Sequence, residues 1–238
     1  SFYLEAIQLY DSLENKEMVA DLSFYLAVLL NKHGENIEAH NYYDKALTIY
    51  EQLKLDEDVA EMLNSLGLLY YDWGDFDKGL QYYNRSLDIM RSLNNNSGVA
   101  QALNNIGLLY HSWGNMDEAL KYLNLSLDIE TELNDQEGVA TSYNNIGIVY
   151  ADSKKNNEAL DFYQKALDIY RNLNDKSGIA TALNILGDLY SELGDPILAI
   201  EMLEKSLMLE KEIADQYGIS LAFATLSQLY IKTKDFKL

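Results

Sequence analysis

Between Gly98 and Gly138 the apolar residues fall at Leu103, Ile106 and Tyr110, then at Ala119, Leu123, Leu127 and Leu133. Steps of three and four hold side chains on one face of a helix. The stretch therefore predicts two amphipathic helices, divided by Trp113-Gly114-Asn115, where glycine can take the left-handed conformation that ends a helix. Asn134-Asp135 and Gly138 close the second helix. The pattern then returns. The forty residues from Gly98-Val99-Ala100 and the forty from Gly138-Val139-Ala140 share 17 identical positions without a gap. Gly178-Ile179-Ala180 and Gly218-Ile219-Ser220 continue the series, and Asp58-Val59-Ala60 begins it more weakly. A forty-residue period running through the whole chain predicts an all-α repeat array.

Small residues recur in step with the period. Gly67, Gly107, Gly147 and Gly187 share one position on the first helix, and Ala39, Ala119, Ala159 and Ala199 share one on the second. Small side chains there predict a close approach of the paired backbones. Tyr70, Tyr110, Tyr150, Tyr190 and Tyr230 form a column expected to fill the space between neighbouring repeats. Strict step with the repeat favours packing over redox chemistry or phosphorylation. The single proline, Pro196, follows Gly194-Asp195, which predicts Asp195 as N-cap and Pro196 at the first helical position.

The period divides the chain into an unpaired second helix at 1–16, five full repeats at 17–56, 57–96, 97–136, 137–176 and 177–216, and an unpaired first helix at 217–238. About eleven helices in one array over 1–238 are expected. Phe2-Tyr3 matches Tyr82-Tyr83, while Leu226, Tyr230 and Asp235-Phe236 match Leu66, Tyr70 and Asp75-Phe76. Together with a start at Ser1 and no signal-peptide pattern, this suggests a piece of a longer chain. Open apolar faces at both ends predict head-to-tail self-association.

Leu103-x-x-Ile106-Gly107-x-x-Tyr110 followed by Ala119-x-x-x-Leu123, with Tyr83 and Tyr163 in place of Leu123 in sister repeats, resembles the tetratricopeptide repeat. The resemblance covers essentially the whole chain. Two features depart from the family: a period of forty rather than thirty-four, and Arg91, Thr131, Arg171 and Lys211 where a proline ends the second helix. Extended units of this kind are similar to those of Pins-type G-protein-signalling modulators and of bacterial sensor and regulator domains. The resemblance implies a right-handed α-solenoid that serves as a non-catalytic interaction scaffold.

Charge narrows the partners. Eighteen Lys plus Arg face 38 Asp plus Glu, a net charge of −20. Such a chain repels phosphate, so no nucleic-acid partner is expected. No apolar run is long enough to insert in a membrane, and the expected setting is cytoplasmic. The absence of cysteine excludes disulfides, thiolate zinc sites and a thiol nucleophile. His33, His40 and His111 have no metal-ligand spacing, and Asp88, Asp128 and Asp168 recur as a solvated set. Phosphate-loop, nucleophile-elbow and zinc-protease motifs are missing. No catalytic residue, metal or cofactor is expected.

In the resembled family the first helix of each unit lines a concave groove, with groove residues three before and one after the motif glycine. The first position here holds Asn64, Asn104, Asn144 and Asn184, and the next residue adds Asn105 and Asn145. The position after the glycine holds Leu68, Leu108, Ile148 and Asp188, with Tyr71 and His111 at the groove edge. An amide offers one acceptor and two donors, enough to hold both polar groups of an extended peptide backbone. Two readings stand: peptide capture as in kinesin light chains and the O-linked sugar transferase, or amides that fix the repeat spacing. Basic clamps are lacking, since six before the glycine lie Asp21, Glu61, Gln101, Thr141, Thr181 and Leu221. The expected ligand is a neutral, apolar or mildly basic protein segment. Charge steering is expected in the first three units, because 101–140 holds seven acids and one base whereas 141–180 balances five against five. The competing function is the input domain of a signalling protein, gating a kinase or transcription regulator.

Overall fold

The computed structural model describes residues 2–235, with side chains described to residue 231. Phe236, matched above to Phe76, lies outside the described residues. The described residues form twelve helices: α1 (Phe2–Ser12), α2 (Lys16–Lys32), α3 (Asn36–Leu53), α4 (Asp56–Asp72), α5 (Phe76–Ser92) and α6 (Asn96–Ser112). The series continues with α7 (Met116–Glu132), α8 (Gln136–Asp152), α9 (Asn156–Leu173), α10 (Lys176–Glu192), α11 (Pro196–Ile213) and α12 (Gln216–Asp235). That is one more than the eleven or so expected. The described residues contain no strand.

The turns set the beat. A left-handed residue occurs every twenty positions, at Glu14, Gly34, Lys54, Gly74, Asn94, Gly114, Asn134, Lys154, Asn174, Gly194 and Ala214. Just before four of these turns, the carbonyls of Tyr70, Tyr110, Tyr150 and Tyr190 accept from the amides of Asp75, Asn115, Lys155 and Asp195 at 2.8–2.9 Å. This is the bond that closes a Schellman-type helix end. The residue after the left-handed one begins the next helix: Asp75 and Asp135 accept from the amides of Lys78 and Gly138. Asp195 caps α11 with Pro196 in the first turn, as the sequence indicated. Each turn thus ends one helix and starts the next within three residues.

The chain forms two compact units, Ser1–Ile129 and Glu130–Leu238. In the first unit α2 packs on α3 and α4 on α5, around Tyr43, Leu47, Leu63, Leu66 and Leu69 and then Tyr83, Leu87, Leu103 and Ile106. In the second, α8 packs on α9 and α10 on α11, around Tyr163, Leu167, Leu183 and Leu186 and then Leu203, Leu226 and Leu229.

Pairing within a hairpin rests on two repeated devices. A Cβ added to Gly107 would lie 2.7 Å from Leu123 Cγ, and one on Gly187 would lie 2.7 Å from Leu203 Cγ. At Gly67 and Gly147 the obstructing groups are the rings of Tyr83 and Tyr163. Glycine therefore makes room for a large side chain of the partner helix, where Ala119, Ala159 and Ala199 are fully buried; Ala39 is equally buried in the hairpin that carries Ala27 in place of the glycine. The second device is a buried serine. Ser86, Ser126 and Ser206 donate to the carbonyls of Ala60, Ala100 and Ala180 at 2.7–2.8 Å, from second helix to first.

The tyrosine column packs, chiefly within its own hairpins. Tyr70 stacks on Tyr82 at 5.3 Å, Tyr110 on Tyr122 at 5.4 Å and Tyr150 on Phe162 at 5.4 Å. Tyr70 also reaches the preceding hairpin, where its hydroxyl lies 2.8 Å from Nε2 of His40. His40, read from sequence as having no metal partner, stacks on Trp73 at 5.9 Å.

Candidate functional site

The asparagines three residues before each motif glycine do not share one environment. In the first unit Asn64 on α4 is 9% exposed, and Asn104 on α6 is half-buried. In the second unit Asn144 on α8 is 6% exposed, and Asn184 on α10 is half-buried. The Oδ1 atoms of Asn64, Asn144 and Asn184 are buried and accept no hydrogen bond. Leaving a buried acceptor unpaired costs about 1–3 kcal/mol. Asn184 uses its other end: Nδ2 donates to Oε1 of Glu210 on α11 at 2.7 Å. The Ser206 hydroxyl, whose one proton is shared with the Ala180 carbonyl, lies 2.9 Å from the same oxygen. Glu210 is 2% exposed. Asn105 and Asn145 are half-buried.

Beside the amides runs the apolar row. Leu68 is 48% exposed, while Leu108 and Ile148 are half-buried. Tyr71 and His111 sit half-buried near the C-terminal ends of α4 and α6, and the Tyr71 hydroxyl lies 2.7 Å from Oγ of Ser112. In the first unit, then, α4 and α6 carry Asn64, Leu68, Tyr71, Asn104, Asn105, Leu108 and His111. In the second, α8 and α10 carry Asn144, Asn145, Ile148 and Asn184. The row six before the glycine is partly occupied by the fold itself. Asp21 accepts from the Tyr50 hydroxyl at 2.6 Å, and burial first, then this bond, pushes the phenol far up.

The second unit also holds a cleft of about 210 Å³ where α8 and α10 meet over α9. Ile148, Ile185 and Leu189 supply apolar wall, Tyr163 lies in its lining, and Asp152, Asp188 and Glu192 bring three carboxylates. Burial and then the neighbouring Glu192 raise the Asp188 carboxyl above its ordinary value. The buried Tyr163 phenol is likewise raised, first by burial and then by Asp152, Glu192 and Asp188. Among the described residues no group of three His, Cys, Asp or Glu side chains is arranged to hold a metal ion. None of their helices is long and apolar enough to cross a membrane.

Two features escaped the sequence reading. The buried carboxylates Glu130 and Glu210 stand where sister repeats carry Tyr50, Met90 and Tyr170, so a break in an otherwise bulky column was their signal. The acid cleft had a signal too: Asp188 interrupts the row Leu68, Leu108, Ile148.

Comparison with known families gives the tetratricopeptide repeat, matched over residues 58–132 and 138–212, with a second form of the repeat at 25–53. The chain belongs to the tetratricopeptide repeat family. No curated protein matches its sequence. Among solved structures, the repeat protein resembles BtubC from P. vanneervenii with a TM-score of 0.73 and 21% identity, covering 90% of each chain. It resembles aspartyl phosphate phosphatase F from Bacillus subtilis with a TM-score of 0.81 and 15% identity, over 96% of this chain and 61% of that one. The Rap conjugation gene regulator of plasmid pLS20, solved with the Phr* peptide, gives 0.76 and 15% identity, over 89% of this chain and 59% of that one. At these identities the likeness is one of fold: an all-helical tetratricopeptide-repeat solenoid, a class that serves as a protein-interaction scaffold.

Proposed function

We propose that the chain is a non-catalytic binding module that takes an extended, neutral-to-basic peptide segment on the first helices within a unit, α4 and α6 in the first or α8 and α10 in the second. The observation that carries this reading is the pairing of unsatisfied amide acceptors with an adjacent open apolar row. Asn64 Oδ1 has no partner, and Leu68, one turn further along α4, is 48% exposed. A rotated Asn side chain can accept from a peptide N–H and donate to a peptide carbonyl, while the apolar row takes alternate side chains. The −20 charge opposes an acidic ligand. Peptide capture by a neighbour of similar fold, the plasmid regulator solved with its Phr* peptide, lends further support.

Selection of a random peptide library on the immobilised chain tests the reading. The expected result is enrichment of extended sequences poor in Asp and Glu, whose affinity falls at least tenfold in the Asn64→Ala or the Asn144→Ala variant while melting temperature changes little, because the Oδ1 of each has no partner to lose. No enrichment, or unaltered binding in variants that lose stability, would overturn it.

A further inference from the structure

We infer that one stripe of α12, marked by Tyr217, Leu221 and Ile231, is an anchor site that seats a bulky aliphatic or aromatic side chain of a peptide segment bound to the second unit. The inference rests on the peptide-binding reading of α8 and α10 and names the residue type that fixes the segment at one end. Position, polarity and the change of grip along the unit each support it.

Tyr217, Leu221, Gln228 and Ile231 succeed one another at four, seven and three residues, a spacing that keeps them on one stripe of the helix. Gln228 continues the row of Leu68, Leu108 and Ile148, and Leu221 belongs to the row six before the glycine. The stripe is thus the counterpart on α12 of the face that takes the peptide on α8 and α10. Tyr217 is 80% exposed, Leu221 47% and Ile231 63%. For the first two, this exposure belongs to the repeat itself. Their counterparts Glu57 and Glu61 on α4, and Ser177 and Thr181 on α10, are exposed too, although other helices pack on both sides of α4 and of α10. A further hairpin packed on α12 would therefore leave Tyr217 and Leu221 open.

Polarity is reversed on this stripe. At the position of Tyr217 the other repeats carry Glu17, Glu57, Ser97, Glu137 and Ser177. At that of Leu221 they carry Asp21, Glu61, Gln101, Thr141 and Thr181. Polar residues satisfy the fold at both positions, so packing does not require the apolar pair. Residues 216–231 hold no Asp, Glu, Lys or Arg in a chain that is 24% charged, and the partner suited to such a helix is itself uncharged. A lone exposed leucine is ordinary, but three large apolar groups on one uncharged stripe mark an interaction surface.

The grip changes from helix to helix within the unit. At corresponding positions α8 carries Asn144 and Asn145, α10 carries Asn184 and Ile185, and α12 carries Ala224 and Thr225. The Asn184 amide is already engaged by Glu210. Asparagines able to hold a peptide backbone thus run out toward α12, where large exposed apolar groups take their place. Packed helices lie about 8–10 Å apart, a distance that an extended chain crosses in about three residues at about 3.3 Å each. A segment held by its backbone on α8 reaches α12, which packs beside α10, about six residues later. There it is held by burying a side chain, so the occupant of the stripe is the apolar end of that same segment.

The probes are two neutral peptides, acetyl-Ser-Gly-Ser-Gly-Ser-Leu-Phe-amide and acetyl-Ser-Gly-Ser-Gly-Ser-Ser-Ser-amide, titrated into the full chain and followed by the methyl signals of Leu221 and Ile231. Saturable shifts are expected with the first, and at least tenfold weaker binding of the second, the difference that burying one leucine side chain can supply. Leu221→Thr and Tyr217→Ser introduce the residues found at 181 and 177, so the fold of both variants is secure. Each should weaken the first probe at least fivefold and leave the melting temperature unchanged, whereas a purely structural role would lower it. Peptides selected from the random library should carry a large apolar residue at one end and lose affinity in the same two variants. Equal binding of the two probes, no saturable shift up to the solubility limit, or indifference to both variants would overturn the anchor site. Light scattering that shows self-association rising with concentration, and lost in Leu221→Thr, would also overturn it, because the occupant would then be a second copy. Selected peptides with no apolar end, indifferent to both variants, would remove the anchor site and leave the groove reading intact. A first probe that binds as expected, with no peptide selected, would remove the groove reading and leave the anchor site.

Discussion

Asn184 on α10 donates its side-chain amide to the buried Glu210 of α11 at 2.7 Å, although its own Oδ1, like that of Asn144 forty residues earlier in the same column, accepts no hydrogen bond. One column therefore does two jobs. Replacing Asn184 by Ala takes a donor from a carboxylate that is 2% exposed, which should cost about 1–3 kcal/mol. Asn144→Ala removes an acceptor that has no partner and should be close to neutral. Chemical denaturation of the two variants checks this, and equal losses would show that the two amides are equivalent.

Gly107→Val should destabilise the first unit by about 1–3 kcal/mol through overpacking. The added Cβ meets Leu123 Cγ at 2.7 Å and the Leu123 backbone nitrogen at 3.2 Å, so side-chain rotation alone cannot clear it. Limited proteolysis should then cut first around α6 and α7, and an unchanged cleavage pattern with an unchanged melting temperature would contradict the packing role.

Ser86→Ala should be mild, a loss of about 0.5–1.5 kcal/mol. The hydroxyl bond to the Ala60 carbonyl disappears, but sister positions hold Ala46 and Ala166, both fully buried, so a methyl fits there. A loss well above that range in a urea titration would mean that the serine holds more than this one bond.

Asp72→Asn should raise the melting temperature at neutral pH and leave it unchanged under strongly acidic conditions. Burial raises this carboxyl above its ordinary value, against a smaller opposing effect of the Asn31 hydrogen bond. An acid whose folded pKa is raised binds protons more tightly when folded, so stability falls as pH rises. The penalty begins as pH climbs through the ordinary carboxylate range and is complete above the raised folded value. A melting-temperature series against pH should show the parent and the variant converging at the acidic end.

The helices and turns were legible because both depend on local sequence. Gly114, Asn134 and Asp195-Pro196 announce their own backbone geometry, and the steps of three and four from Leu103 to Tyr110 announce the buried stripe. Side-chain satisfaction was not legible, because it depends on residues far along the chain. Nothing near Asn184 shows that Glu210, 26 residues away, will hold its amide. Nothing near Asn64 or Asn144 shows that each is buried with its acceptor unpaired. The cleft lay between these cases. Asp188 was visible as a break in an apolar row, but its meeting with Asp152 and Glu192 required two helices to be set side by side.

The left-handed residues spaced twenty apart, from Glu14 to Ala214, have a consequence for how such a chain can change. Each turn is complete within a few residues and uses the same backbone bond at either side. A duplication or excision of forty residues, begun at any turn, joins a helix end to a helix start of the kind already present. The number of hairpins is thus a quantity that recombination can alter in whole steps, while the residues of a single helix, such as Ile185 and Asp188, are free to specialise.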